Sequence, residues 1–372
     1  VDASAAAIVK KAFGSIRKNY NTKPFLYQTF YRHYCKDDDQ YGRLIEAAVD
    51  IYKRKGYKIR QHIPGDKDEV KVMQLRRSFD NTKVTINHAP IALYNIMVAD
   101  EVAYQTNVKS ENPYVIAALG FKDMSGLEKH HHLFDFNLEK ITSFDNEEVY
   151  QISYKLKADK IERKGGSSYP INFTGMLYIN TRNFAFVKTE SLRATPDDTL
   201  LTSSSYRLNG DKYYLYHSLR EGKSNNRLLN ITHQYHVELL TTNIITKNVA
   251  TFKGNEPDKE LLFYVPYNPE FWAAYNVIKA TPLEETIIGD LEKNESLNFQ
   301  FQEYMDSERE RYFSGKEDED RLNEYIRLNK GRVMYIGFWR SDCGACLREL
   351  EYNRKWVGKY RGSVAFIYVS LD

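Results

Sequence analysis

The sequence predicts an α+β protein: a large antiparallel, β-rich module with inserted helices, followed by a partial α/β unit at its C-terminal end. Three observations predict it. Tyrosine is abundant, at 29 of 372 residues, and a large ring with a wet hydroxyl suits half-exposed strands. From about Glu147 apolar and polar residues alternate with a period of two, as in strands with one face in a core. After Arg332 the pattern becomes strand, helix, strand, the order of two parallel strands joined by a right-handed crossover.

The chain opens on a helix, because Ala5, Ile8, Val9, Ala12, Phe13 and Ile16 recur at helical spacing, with Asp2 or Ser4 available as the cap. The stretch from Asn19 to Pro24 ends it, and "FLYQTFYRHYC" has strand character. "RLIEAAVDIYKR" carries helix-favouring Ala and Glu, but its alternation at Ile45, Ala47, Val49 and Ile51 favours a strand. "APIALYNIMVADEVAYQ" reads as a helix beginning at Pro90, where a missing N–H costs nothing, and "PYVIAALGF" as a strand or short helix. "EVYQISYKLKAD", "GMLYINTRNFAFVKTESLRA", "SSYRLNGDKYYLYHSLREGK" and "LLNITHQYHVELLTTNIITK" form a meander. Its hairpin signals are Asn209-Gly210 and the tip of "YINTRNFAF". Residues 25 to 252 are thus expected to build one antiparallel sheet.

The pattern changes after Gly254. "VPYNPEFWAAYNVIKATP" is aromatic and punctuated by proline, "LEETIIGDLEKN" and "LNFQFQEYMDSERERYF" read as helices, and "SGKEDEDRLNEY" is a charged joint or helix start. "RVMYIGFW" and "SVAFIYVSLD" are strands flanking the helix "CGACLRELEYNRKWVGKYRG". The expected division is a β-rich module with an N-terminal helix over 1–254, an aromatic and helical connector over 255–330, and the α/β unit over 331–372.

Composition limits the function classes. The 53 basic and 50 acidic residues nearly cancel and no basic stripe appears, so nucleic acid is not an expected partner. The longest strongly apolar stretch, about Tyr114 to Phe121, is far short of the roughly 18 residues of a membrane-spanning helix. No nucleotide loop, nucleophile elbow or HExxH helix occurs, and no cofactor is predicted.

The most specific motif is the CxxC of Cys343 and Cys346. At a strand-to-helix junction the first sulfur faces free backbone N–H groups, and the helix dipole favours a thiolate there, so Cys343 is the expected attacking sulfur and Cys346 the resolving one. The alternatives are two unreactive thiols or half of a zinc site, but no further ligands lie near in sequence. Cys35 reads as a buried small hydrophobe. His130 to His132 could bind metal, though a solvated or packed run is the commoner use. On a strand, His233 and His236 point to opposite faces. Asn172, Asn230 and Asn294 begin N-x-S/T triplets, which matter only in a eukaryotic secretory setting. The aromatic surplus could line a ligand groove or serve cross-strand packing.

"GRVMYIGFWRSDCGACLREL…VAFIYVSLD" resembles the first half of the TlpA/ResA-like thioredoxin-fold envelope proteins, through Gly331, Phe338, Trp339, Cys343, Gly344, Cys346, Glu349 and the closing "VSLD". The resemblance implies thiol–disulfide exchange with a protein disulfide or thiol outside the cytoplasm. Cys343 and Cys346 would be catalytic, with Trp339, Gly344, Ala345 and Glu349 as the supporting motif. Asp342 stands where the family has Trp, Ala345 where it has Pro, and Gly337 where a buried carboxylate is common. A carboxylate beside Cys343 opposes thiolate formation. Two parallel strands and one helix have open edges and little core, so further chain or another segment is expected to complete that sheet.

The preceding module resembles one of Gram-negative envelope proteins that often follows a carboxypeptidase-regulatory-like domain, through "AIVKKAFGSIRKNYNTKPFLYQTFYRHY", "LIEAAVDIY" and "YNPEFWAAYNVIKATPLEETIIGDLEKNESLNFQFQ". "VYQISYKL…GMLYINTRNFAFVKTE" is similar to the strand-hairpin rhythm of LolA-type half-barrels, which bind lipid or lipoprotein acyl chains. These resemblances imply a periplasmic or outer-membrane-associated protein. The leading expectation is a thiol–disulfide oxidoreductase with a β-rich binding module. The alternatives are a non-catalytic subunit of an outer-membrane complex and a lipid or lipoprotein carrier.

Overall fold

The computed structural model describes residues 4–57, 68–79, 81–84, 127, 131–157, 172–249, 267–275, 282–313, 318–341, 343–360 and 364–371. The helix expected from Pro90, the stretch 114–121, His130 and Asp342 lie outside these residues.

Helix α1 (Ala5–Gly14) begins at Ser4, whose hydroxyl accepts a hydrogen bond from the Ala7 N–H at 3.3 Å. It buries Ile8, Val9, Ala12 and Phe13, and the one-turn α2 (Ile16–Asn19) continues the apolar stripe with Ile16. The strands that follow are β1 (Phe25–Asp37), β2 (Gln40–Lys53), β3 (Asp68–Arg77), β4 (Phe134–Phe144), β5 (Glu147–Leu156), β6 (Asn172–Asn180), β7 (Phe186–Ala194), β8 (Asp198–Asn209), β9 (Lys212–Asn226) and β10 (Ile231–Ile245).

These ten strands form one antiparallel sheet in the order β3-β2-β1-β10-β9-β8-β7-β6-β5-β4. Every pairing is between chain neighbours except β1 with β10, which sets Tyr31 opposite Leu239 and Asp37 opposite His233. The turns follow local chemistry. Asp145 and Asn146 both have positive φ, as a two-residue I′ hairpin between β4 and β5 requires. Between β8 and β9 the turn residues are Gly210, at φ +67°, and Asp211, because Asn209 already pairs with Lys212; the hairpin sits one residue later than the Asn-Gly signal places it. In the β6–β7 tip the Asn180 side chain accepts from the N–H groups of Arg182 and Asn183.

The two faces differ. The core face, on which α1 packs, carries the main apolar cluster, including Phe25, Tyr27, Tyr31, Ile45, Val49, Ile152, Phe173, Leu177 and Phe186. The Phe13 and Phe186 rings lie 5.0 Å apart, and the buried Tyr20 hydroxyl donates to the Phe186 carbonyl at 2.6 Å. Two glycines serve this face: a Cβ on Gly175 would run into the Tyr154 ring and one on Gly222 into the Tyr235 ring, so each tyrosine lies flat across a neighbouring strand. Cys35 is buried here, as its lone position suggests.

The opposite, outer face is covered over β1–β3 by α3 (Pro269–Ala274), α4 (Pro282–Leu291) and α5 (Leu297–Phe313). A second cluster of Leu44, Ile287, Leu291, Leu297 and Phe301 forms there. Asn268 caps α3 by accepting from the N–H groups of Glu270 and Phe271. The charged joint becomes α6 (Asp318–Leu328).

The C-terminal unit is β11 (Val333–Trp339), α7 (Gly344–Tyr360) and β12 (Val364–Ser370). The two strands are parallel, with Val333 opposite Val364 and Trp339 opposite Ser370. Helix α7 buries none of its residues, and Phe338, Leu347, Tyr352 and Trp356 are exposed.

Candidate functional site

The cross-strand registers place one row of side chains along the outer face. Beginning on β3 it reads Arg76, Glu46, Arg32 and Glu238, each directly opposite the next. Arg32 donates to Glu46 at 2.9 and 3.0 Å, Arg76 donates to the same carboxylate at 2.6 Å, and Glu284 of α4 pairs with Arg32. Glu238 is bonded to His217 at 2.7 Å and lies 3.6 Å from His236, which in turn pairs with Glu221 at 2.9 Å. Burial pushes the Glu238 carboxyl up, but hydrogen bonds and charge from His217 and His236 outweigh it and hold the group well below the ordinary carboxylate range. The Tyr34 ring stacks on His236 at 4.6 Å, and its hydroxyl is pushed up to about 12, first by burial and then by the neighbouring Tyr41, Glu221 and Glu238.

The next row, two residues along each strand, floors a trough. From β1 to β4 it reads Tyr34, His236, Glu221, Leu201, Leu192, Thr174, Lys155 and Asp135. Two grooves follow this row. One, of ≈ 350 Å³, is lined by Tyr34, Lys36, Tyr41, Glu221, Lys223 and His236 among others. The other, of ≈ 580 Å³ and more apolar, is lined by Phe136, Tyr154, Met176, Glu190 and Lys155 among others. Both grooves are lined by Leu192 and Leu201, a directly opposed pair on β7 and β8. Eight strands at about 4.8 Å spacing make the row about 34 Å long. It is polar at both ends and apolar in the middle. A third hollow, of ≈ 490 Å³, gathers Asp145, Glu147, Glu148, Asn180, Arg182 and Tyr213 around the β4–β5 and β6–β7 turns. There the Tyr213 hydroxyl donates to Glu147, and burial is the first cause of its raised pKa.

Cys343 and Cys346 form a disulfide, with Cα atoms 5.2 Å apart, at the start of α7. The Cys346 N–H points at the Cys343 sulfur at 3.2 Å, and the Cys343 carbonyl accepts from the Leu347 N–H. The supporting residues do not converge on the sulfurs. Trp339 ends β11, its carbonyl accepting from the Leu371 N–H at 3.0 Å. Glu349 is exposed and accepts from the Tyr335 hydroxyl at 3.2 Å. Gly344 and Ala345 are exposed, and a Cβ on Gly344 would meet nothing closer than Arg348 at 3.7 Å. At Gly337 an added Cβ would press on the rings of Tyr368 and Tyr335, so tyrosines fill the place expected of a carboxylate.

The histidines resolve as follows. His131 and His132 are exposed on a short 3₁₀ turn. His233 lies on the core face, buried and bonded to Asp37 at 2.7 Å, while His236 lies on the outer face; the odd spacing separates them as expected. Among the described residues no group of three or more His, Cys, Asp or Glu is placed to hold a metal ion. No described helix is long and apolar enough to cross a membrane.

No family model matches the chain, and no curated protein matches it. Among solved structures it is similar to an outer membrane lipoprotein-sorting protein domain from Vibrio parahaemolyticus, at 12% identity, over 66% of this chain and 94% of that one, with a TM-score of 0.29. It is also similar to a DUF1329 family protein from Desulfovibrio piger, at 7% identity over 67% and 96%, with a TM-score of 0.27. A lipovitellin structure matches at 9% identity over 92% of this chain and 36% of that one, with a TM-score of 0.26.

These findings correct two expectations. The resemblance to TlpA/ResA-like thioredoxin-fold proteins is not upheld, and neither is the redox activity drawn from it: no family model matches, and among the described residues β11 and β12 form a two-stranded sheet that no further strand joins. The link to the module found after carboxypeptidase-regulatory-like domains falls with it. The physical reason is that a strand, a CxxC turn and a helix are a local unit. It occupies 38 or so residues, leaves α7 with no buried face, and does not specify the sheet it would join. The trough, by contrast, was not legible as a site, because its floor residues come from eight strands. The signals present were two charges, Arg32 and Glu46, inside the otherwise apolar strands β1 and β2, and they mark the row beside the trough rather than its floor.

Proposed function

We propose that the protein is a lipid- or lipoprotein-binding carrier of the cell envelope that holds an amphiphile along the outer-face trough. The observation that carries this reading is the row from Tyr34 to Asp135, with Leu201 and Leu192 at its centre and hydrogen-bonding or charged groups at each end. An acyl chain loses water against Leu192, Leu201 and Met176 while its polar head finds partners at an end. The Cys343–Cys346 disulfide supports an oxidising compartment outside the cytoplasm. We propose Cys343 and Cys346 as a reversible cross-link of the C-terminal unit, and the divisions 1–254, 255–330 and 331–372 as its working parts. A second reading, a non-catalytic subunit of an outer-membrane assembly, draws on the exposed Phe338, Tyr352 and Trp356.

Native mass spectrometry of the gently purified protein tests the carrier reading. The expected result is added mass that is lost on delipidation and regained on adding fatty acid or phospholipid. In Leu192→Glu that load should fall at least tenfold with the fold intact. A protein that takes up neither lipid, or a Leu192→Glu variant that loads like the parent, counts against it.

A further inference from the structure

We infer that the β9–β10 turn is a contact point for the apolar interior of a lipid bilayer. The turn comprises Arg227, Leu228, Leu229 and Asn230, between the last paired residues Asn226 and Ile231. Leu228 is 97% exposed and Leu229 50%. The two leucines are contiguous rather than scattered, which is how exposed apolar contact sites are marked, and this turn is built rather than frayed. The Asn226 side chain accepts from the Leu229 N–H at 3.0 Å. Asn230 takes φ +50°. Arg227 donates twice to Asp197 of the β7–β8 turn, at 2.7 and 2.9 Å. Asp38, in the β1–β2 turn, accepts from the Thr232 N–H at 3.0 Å, and its own N–H donates to the Thr232 carbonyl at 2.9 Å. Two neighbouring turns thus brace one apolar tip.

The geometry selects the partner. A stable protein interface buries roughly 800 Å² on each side, far more than two leucines on a four-residue turn can cover. A bilayer needs no shaped pocket, only apolar side chains that reach past the headgroups. The charges around the tip narrow the choice further. Asp38 and Asp197 flank it, and Arg227 is already paired with Asp197. Attraction to anionic headgroups is therefore not what holds the tip, and apolar insertion is. The position also suits loading. Lys223 and Gln234, an opposed pair that lines the trough, sit three residue pairs from the turn, about 10 Å at the rise of a strand. The docking inference stands without the carrier reading; the loading role rests on it.

The experiment uses the full chain with vesicles of phosphatidylcholine and phosphatidylethanolamine. Flotation with these vesicles is expected to carry the protein, with little change on raising the salt or adding phosphatidylglycerol. The Leu228→Ser, Leu229→Ser double variant should lose roughly tenfold or more in partitioning, with unchanged thermal unfolding because both side chains are exposed. Leu228→Trp should shift its emission to shorter wavelength when vesicles are added. Equal flotation of the double serine variant, an unshifted Leu228→Trp, or binding that appears only with anionic lipid and vanishes in salt would each overturn the inference. Lipid load of the trough, read separately by native mass spectrometry in Leu192→Glu, tells failure of this contact apart from failure of the carrier reading.

Discussion

The ten-stranded sheet and the C-terminal β11-α7-β12 unit use similar residues to different effect. In the sheet, aromatic and branched side chains from α1 and most of the strands meet in one cluster, and Tyr20, Phe25 and Phe186 are wholly buried. In the C-terminal unit the equivalent side chains, Phe338, Tyr352 and Trp356, face water. The more recognisable sequence motif lies in the less packed region. A motif reports local chemistry, whereas stability comes from apolar area removed from water, which only long-range contacts supply.

The sharpest way to break this comparison is to truncate one aromatic in each region. Phe186→Ala should cost about 3–5 kcal/mol, and Trp356→Ala less than about 1 kcal/mol, in denaturant unfolding of the sheet. Equal losses would mean that the C-terminal unit shares the core. Next in size is Gly222→Ala, whose added methyl runs into the Tyr235 ring; a cost of about 1–3 kcal/mol is expected. The same change in a Tyr235→Ala background should cost much less, and an additive double variant would remove the proposed clash.

The disulfide supplies a smaller effect. A loop this short limits its contribution to about 2 kcal/mol, confined to the C-terminal unit. Alkylation of the native protein should label neither Cys343 nor Cys346 until a reductant is added, and should not reach the buried Cys35 before unfolding. Labelling of Cys35 in the oxidised native state would contradict its burial. The smallest effect concerns Glu238. Its folded-state pKa lies below its ordinary value of 4.5. Its ionised form therefore stabilises the fold above that value, and the contribution is lost as pH falls below it toward the folded-state pKa. Glu238→Gln should lower stability by about 1 kcal/mol at neutral pH and flatten the acid limb of the stability–pH profile. An unchanged acid limb would assign that limb to other carboxylates.

Much of the sheet was legible in advance. Alternation marked β1, β2 and β5–β10, and Ser4 and the apolar spacing of α1 marked the first helix. Two strands were missed. β3, "DEVKVMQLRR", carries charges on both faces, since Glu69 and Arg77 are buried, so its period is blurred. β4, "FDFNLEKITSF", is an edge strand whose middle residues are all exposed, the apolar Leu138 and Ile141 together with polar Asn137, Glu139 and Lys140, so no buried face shows in its pattern. Neither the pairing of β1 with β10 nor the trough could be read from the chain, because both depend on register between segments some two hundred residues apart. The CxxC was legible as chemistry, but the fold ascribed to it was not upheld.

The alternating row Arg76–Glu46–Arg32–Glu238 has a consequence for assembly. Hairpin neighbours inherit their alignment from a short turn, but β1 and β10 meet with no such guide. A slip of one residue between them would set Arg32 opposite Val237 or Leu239 instead of Glu238 and would turn the apolar set of one strand out of the core face. Mispaired states are thus penalised where the chain has least local instruction. The row acts as a key cut across four strands, admitting one alignment of the last strand with the first.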